Sequence, residues 1–314
     1  MDKLGDMDLF VRVVKNGGLA VAGREVGLSP ASMSARINAL EQRYGLRLLN
    51  RTTRHVSPTE AGRKFYDACL CILADVGEAE AQLQSVKESY SGPLRITATS
   101  DMGQQHIAPL LSKFIVQHPD IKPHLYLTDG IVNLAEQSFD LGIRYGHLPD
   151  SSMIVRKLAA SHRVVCASPN YLKTKGIPQT PQALTEHDCL VMVRVTEPLT
   201  NWYFQTPNGQ QTVAINAARS SNDGALIRKW ALEGAGIALK SYLDVAADLK
   251  AKRLVTVLDD FMQDFNKQST LGGSDLQLVY PSRQYMPQRV QGFIDVLVEH
   301  FQLLGKTIES GTIM

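Results

Sequence analysis

Apolar residues recur at helical spacing through the first third of the chain and in short strand-like runs beyond it. Leu9, Phe10, Val13 and Val14 share one face of a helix that Asp6 is placed to cap and Gly17-Gly18 to stop. A short helix fits Leu19 to Val26, closed by Gly27. A third opens on Ser29 as N-cap with Pro30 at the first helical position, and turns Met33, Ile37, Leu40 and Tyr44 toward a core. Its other face carries Ala31, Ser32, Ala35, Arg36 and Asn38, with Ser34 at the edge. That face lacks the Glu/Lys mixture usual on a solvated helix. Small residues allow close approach to base edges, and Ser, Asn and Arg can read them. A plain three-helix bundle explains the caps and the core face but not this surface.

Arg47, Arg51 and Arg54 surround Thr52-Thr53 in a segment that reads as a short hairpin wing, where arginines suit phosphate or narrow minor-groove contact. Ser57-Pro58-Thr59-Glu60 then forms a capping-box signature for a helix that runs to Ser91-Gly92-Pro93. Along it Phe65, Cys69, Ile72, Val76, Ala79, Leu83 and Val86 are spaced 4, 3, 4, 3, 4, 3. Such an a/d seam predicts pairing between chains, a homodimer, with packing on its own domain as the alternative.

Past Pro93 the pattern changes. LRITAT, HLYLT, LGIRYG and RVVCAS read as buried strands, alternating with helices around Ile107–Phe114 and in ALIRKWALEGAG. This is α/β architecture with parallel sheets, whose ligands bind beyond strand C-termini, as at the turn Thr99-Ser100-Asp101-Met102-Gly103.

Charge sharpens the division. Residues 1–66 hold eleven Lys/Arg against six Asp/Glu, residues 67–92 one against five, and the remainder twenty-one against twenty. The basic excess sits with the helix-turn-helix pattern, as nucleic-acid affinity requires, although a solvated basic face gives the same count. There is no apolar run of membrane-span length and no signal-peptide core, so a cytoplasmic location is expected. Cys69, Cys71, Cys166 and Cys189 show no CxxC or zinc spacing, and reduced buried thiols are expected. HExxH, GxSxG and the P-loop are absent, and GAGIAL offers a lone GxG, so no catalytic, metal or cofactor residues are assigned. The alternative, an α/β ligand-binding protein or enzyme with no DNA role, would lack affinity for duplex DNA.

The run Met7 to Gly62, especially LSPASMSARINALEQRYGLRLLNRTTRHVSPTEAG, resembles the bacterial LysR-type transcriptional regulators. CASPNYL, TPQALTEHDCLV, GAGIAL and LQLVYPSR extend the likeness over nearly the whole chain. The resemblance implies a winged helix-turn-helix over 1–62, a linker and dimerisation helix over 57–91, and a periplasmic-binding-protein-like effector domain over 93–303. Subdomain I would combine about 93–161 and 267–303, and subdomain II about 162–266. DNA contacts would come from Ser29, Pro30, Ala31, Ser32, Ser34, Arg36, Arg51, Thr52, Thr53 and Arg54. Effector contacts would come from Ser100, Asp101, Met102, Thr128, Tyr145, Trp202 and Asn222. The family typically forms tetramers and implies double-stranded DNA, a small-molecule effector and RNA polymerase as partners.

The chain departs from the family pattern at several positions. Pro30 and Ala35 replace common polar residues on the reading helix. Asp101 stands where many members have a hydroxyl, so it either repels an anion, favouring a neutral, cationic or polyol ligand, or caps its helix. Lys240 stands where the branch has an apolar residue; it reads as solvent-exposed, with a cleft cation as the alternative.

Overall fold

The computed structural model describes the chain apart from residues 1, 52–55, 84–89, 135–136, 147–152, 195–196, 265–273, 283–285 and 310–314, and the side chains of 78–79, 81–83, 262–264 and 306–309. Two compact units emerge. One holds 1–94, 118–122 and 287–289; the other holds 95–117, 123–286 and 290–314.

In the first unit, α1 (Lys3–Asn16), α2 (Leu19–Glu25) and α3 (Pro30–Tyr44) precede a hairpin of β1 (Leu49–Arg51) and β2 (Val56–Pro58), then α4 (Glu60–Leu83). The Ser29 hydroxyl accepts from Ser32 N and Pro30 opens α3, while Gly45 closes it in the left-handed region at φ 65°. Phe10, Val13, Ala22, Met33, Ile37 and Leu40 form the core with Leu48, Leu49 and Val56 from the wing.

Three local expectations shift. Asp2, not Asp6, caps α1, accepting from Gly5 N at 2.9 Å. Asp6 lies one turn further in and is buried against α3. The helix expected from Ser57 begins at Glu60, because Val56–Pro58 pairs antiparallel with Leu49–Arg51 and draws Ser57 and Pro58 into the ladder. Thr59 takes the capping role: its Oγ1 accepts from Gly62 N at 2.9 Å and donates to the Arg47 carbonyl at 2.8 Å. The seam also divides. Phe65 packs between Phe10 and Tyr44, with ring centroids 5.2 and 5.4 Å away, and Cys69 is fully buried in the core of its own unit. Ile72 is exposed and Val76 half-buried; the side chains of Ala79 and Leu83, and Val86 altogether, lie outside the described residues. Heptad spacing specifies an apolar stripe, not which surface covers it, and here the stripe's first turns serve the domain core.

The remaining elements in chain order are β3 (Gly92–Ala98), α5 (Ser100–Met102), a π-turn (Gly103–Ile107), α6 (Ala108–Gln117), β4 (Ile121–Leu127), β5 (Leu141–Tyr145), β6 (Met153–Ala159), β7 (Arg163–Ala167) and α7 (Pro169–Lys175). A 3-10 turn (Pro181–Glu186), β8 (Cys189–Arg194), β9 (Glu197–Pro198), β10 (Asn201–Thr206), β11 (Gly209–Ala214), β12 (Ala217–Ser221) and α8 (Gly224–Leu232) follow. The chain ends with β13 (Ile237–Ser241), α9 (Tyr242–Lys250), β14 (Val255–Val257), β15 (Met262–Asp264), β16 (Leu276–Pro281) and α10 (Gln288–Glu309).

One sheet runs β4-β3-β5-β16-β6 and a second β12-β8-β13-β7-β14, with β9 beside β8; β11-β10-β15 form a smaller sheet. The sheets are mixed, not purely parallel as expected. β3–β5, β8–β12 and β8–β13 are parallel, whereas β16 runs antiparallel to β5 and β6, and β7 to β13 and β14. The cause is topological: β16 returns to the first sheet after the chain has built the second. Both faces of β7 are covered, Val165 and Ala167 on one and Val164 and Cys166 on the other, which explains the unbroken apolar run VVCA after Arg163. Cys69, Cys166 and Cys189 are buried, with burial pushing each thiol up to about 12; Cys71 is half-buried.

Two outcomes follow from this packing. A Cβ on Gly62 would stand 1.9 Å from the Leu48 carbonyl oxygen, a backbone atom with no freedom to yield. Gly62→Ala should therefore cost about 1–3 kcal/mol, and an unaltered melting temperature would contradict so close an α4–wing approach. On the first sheet, His106 Nδ1 and His300 Nε2 lie 3.2 Å apart, and burial followed by the His300 charge lowers His106 to about 4. Between that value and the unfolded value of about 6.5 only the unfolded chain takes the proton, so this group's contribution is lost as pH falls. From pH 7 to 5 the loss is about 2 kcal/mol. Urea midpoints of wild type and His106→Gln across that range should diverge; parallel curves would count against a buried neutral His106.

Candidate functional site

The first candidate surface is built by α3 and the wing. Ser29, Pro30, Ala31, Ser32, Ala35 and Asn38 are exposed, while Ser34 and Arg36 are half-buried. Arg51 reaches from β1 to α3, donating to Ser34 Oγ at 3.2 Å and Glu41 Oε2 at 3.0 Å. The other oxygen of Glu41 accepts from Leu48 N and Leu49 N at 2.8 and 3.0 Å. One carboxylate thus sets the register of the wing against α3 and orients its arginine. Arg36, read from the sequence as a base-contacting residue, keeps 39% of its side chain exposed and also pairs with α1. Its Nε and Nη2 donate to Asp6 Oδ1 at 3.0 and 2.7 Å, and Arg43 donates to the other Asp6 oxygen at 3.0 Å. The reason is the burial of Asp6, which requires cationic partners. Thr52, Thr53 and Arg54 lie outside the described residues.

The second candidate is a cavity of about 500 Å³ in the second unit, lined from both large sheets and their connecting loops. Lys240, in the middle of its sheet, projects to its edge. Its Nζ donates to Asp101 Oδ2 and to the Gly224 carbonyl (2.8 Å), and lies 3.7 Å from Asp244 Oδ2. Asp101 belongs to α5, at the end of the first sheet's β3, so the pair joins the two halves of the cleft. Three further bonds do the same. Asp129 Oδ2 accepts from Gly224 N at 2.7 Å, Tyr145 Oη donates to Asp244 Oδ1 at 2.8 Å, and Gln105 Nε2 donates to the Asp244 carbonyl at 2.8 Å. Burial pushes the Asp101 carboxyl up to about 6 against the pull of Lys240, and raises Asp244 as well. Burial alone would lower Lys240, but Asp244 and Asp101 outweigh it and the ammonium is held raised. Burial and then Asp244 raise the Tyr145 hydroxyl, which stays a donor. Among the described residues no group of three or more His, Cys, Asp or Glu is placed to hold a metal ion.

A reading helix, a wing and a two-sheet cleft in one chain are found together in known proteins. Residues 4–63 match the model for bacterial regulatory helix-turn-helix proteins of the lysR family, and residues 87–302 match the LysR substrate binding domain. The chain belongs to the LysR-type transcriptional regulators. It is 33% identical over 298 residues to the HTH-type transcriptional regulator DmlR of Escherichia coli K12, covering 95% of this chain and 94% of that one. It is 31% identical over 312 residues to the HTH-type transcriptional activator TtdR of the same strain, covering 98% and 97%. The structure of CrgA, a LysR-type regulator from Neisseria meningitidis, aligns with a TM-score of 0.60 at 30% identity over 95% of this chain and 98% of that one. The full-length Vibrio cholerae virulence activator AphB aligns at 0.55 and 28%, over 95% and 99%. Members of this family regulate transcription and are not enzymes.

For a LysR-type regulator, the effector contacts carried over from the family pattern scatter. Tyr145 lines the cavity. Thr128 borders it, lending its carbonyl to Arg144 and its hydroxyl to Gly130 N. Ser100 and Met102 are buried and do not line it, and Asn222 is exposed beside Asp223, which caps α8. Trp202 is fully buried in the apolar core that β10 shares with β7 and β13, so it packs the subdomain and does not face a ligand. Asp101 is neither a free carboxylate nor a helix cap: no side-chain cap bond opens α5, and Lys240 neutralises it. Lys240 is 4% exposed, contrary to the expected solvent exposure. Sequence reading missed Arg144, Arg163, Arg194, Asp129 and Asp244, which also line the cavity. A signal was present, since Asp101 and Lys240 depart from the LysR-type pattern together and with opposite charge.

Breaking this pair on one side strands a buried charge. Lys240→Met should cost about 3–5 kcal/mol. Asp101→Leu combined with Lys240→Met should recover at least half of that in denaturant unfolding of the full chain. A double variant as unstable as the sum of its singles would refute the coupling.

Proposed function

We propose that this LysR-type regulator acts in the bacterial cytoplasm as a homodimer, assembled further into a tetramer, which reads a partly palindromic operator. A small molecule bound in the cleft shifts its conformational populations and so its promoter occupancy or bending, with RNA polymerase as the downstream partner. The observation that carries the DNA reading is the Arg51 bridge. It supports one continuous surface made of the exposed first turn of α3 and the wing. In this reading Ser29, Pro30, Ala31, Ser32 and Ser34 approach the base edges, Arg51 contacts phosphate or the minor groove, and Thr52, Thr53 and Arg54 extend the wing contact. Arg36 acts through Asp6, holding α3 against α1. Pairing between chains falls to α4 from Ile72 onward, through Val76, Ala79, Leu83 and Val86, because Phe65 and Cys69 are engaged by their own core. Ser100, Asp101, Met102, Thr128, Tyr145 and Asn222 frame the cleft, and Tyr145 faces the ligand.

The test is binding to genomic fragments selected by the protein itself. Arg51→Ala should weaken binding roughly tenfold and reduce the salt slope by about 1, as expected for one lost phosphate contact. Arg36→Ala should lower the melting temperature and leave the salt slope unchanged. A slope unchanged by Arg51→Ala but reduced by Arg36→Ala would reverse these assignments.

A further inference from the structure

The chemistry of the cleft identifies the class of molecule it takes. Arg144 is 8% exposed and lines the cavity. Its Nη1 donates to the Thr128 carbonyl and its Nη2 to Thr97 Oγ1 at 2.6 Å, so two of its five N–H donors meet neutral oxygens. Among the described residues no carboxylate forms an ion pair with it. The acid whose charge reaches it is Asp129, already engaged by Gly224 N. Burial lowers Arg144 to about 10, and it remains charged at neutral pH. A guanidinium out of water and bonded only to neutral groups is poorly compensated.

Arg163, stacked over the Tyr145 ring at 5.7 Å, and Arg194 line the same cavity from β7 and β8. Of the carboxylates that also line it, Asp129 is engaged by Gly224 N and Asp244 by Tyr145 Oη and Lys240, and Lys240 is matched by Asp101 and Asp244. The carboxylate that was expected to repel an anion is thus cancelled inside the protein and does not line the space. Much of the remaining wall is apolar: Ile131, Val132, Leu134, Met192, Leu199 and Leu239.

Resting on the effector reading of the cleft, we propose that its ligand is a small organic carboxylate, with the carboxylate seated on Arg144 and Arg163 and an apolar portion against the Ile131–Leu134 and Met192–Leu199 walls. A cation would meet the arginines, and a polyol would leave Arg144 with neutral partners alone and the apolar wall wet.

The experiment is calorimetric titration of the full-length protein, at fixed ionic strength, with benzoate, hexanoate and succinate and with benzamide, hexanamide and succinamide. At least one acid should bind ten times more tightly than its own amide or more, and Arg144→Gln should erase that preference. Arg163→Gln, at a half-buried position, should reduce it severalfold and keeps the test readable if Arg144→Gln does not fold. Amides binding as well as acids, no acid binding at all, or a preference that survives both substitutions would overturn the carboxylate class. Gel shifts on the same preparation separate this from the regulator reading. A ligand-free wild type that binds no DNA would overturn that reading and leave the carboxylate result standing. Acid binding that leaves the DNA footprint unchanged would overturn the effector role alone.

Discussion

Lys240 sits where a mixed sheet is most thoroughly dehydrated, and an ammonium there exists only if carboxylates come to it. Those that do so arrive from opposite sides of the cleft: Asp101 from the helix after β3, and Asp244 from the helix that follows Lys240 itself. Desolvation cost therefore becomes a geometric constraint. Once Lys240 is buried, the two sheets must approach closely enough for Asp101 to reach it, and the Asp129–Gly224 and Tyr145–Asp244 bonds fall into the same closure. The cavity is the space left beyond these contacts. Arg144 stands out on its wall because the Lys240 ammonium is already matched inside the protein, whereas Arg144 donates to neutral oxygens.

The same economy of charge shapes the N-terminal unit. Asp6 is buried on α1 and calls in Arg36 and Arg43 from α3, which fixes the rotation of the reading helix about its axis. Glu41 does the equivalent for the wing, accepting from the backbone of Leu48 and Leu49 with one oxygen and from Arg51 with the other. Two acidic residues thus set how the arginines of α3 and the wing are held: Asp6 ties Arg36 and Arg43 to α1, and Glu41 ties Arg51 to α3.

Features governed by neighbouring residues were legible in the sequence. Ser29-Pro30 opening α3, the buried strand β7 and the stop at Gly17 all follow from capping, steric and burial rules acting over a few residues. What escaped spans longer separations. Asp6 and Arg36 are thirty residues apart and Asp101 and Lys240 are 139 apart, and no local rule joins them. The start of α4 escaped for a related reason: a good capping signature at Ser57 lost to strand pairing with Leu49–Arg51, a tertiary demand outweighing a local preference.

Trp202 exposes the limit of carrying contacts across by position. An indole is among the largest side chains, and β10 packs in the core with smaller side chains of the sheet, Val165, Ala167, Cys189, Val191, Ile237 and Leu239. Turning the ring inward removes more apolar surface from water than turning it to a wet cleft, so the core wins unless a ligand offers comparable burial. The cleft wall is then left to smaller side chains, Met192 of β8, Leu199 after β9, and Ile131 and Val132 of the loop after β4 among them. A wall of that kind discriminates by shape only weakly, since one methylene in an apolar pocket is worth about 1–3 kcal/mol. On the carboxylate proposal, selectivity falls to Arg144, whose buried charge meets only neutral oxygens of the protein and makes the wrong ligand costly.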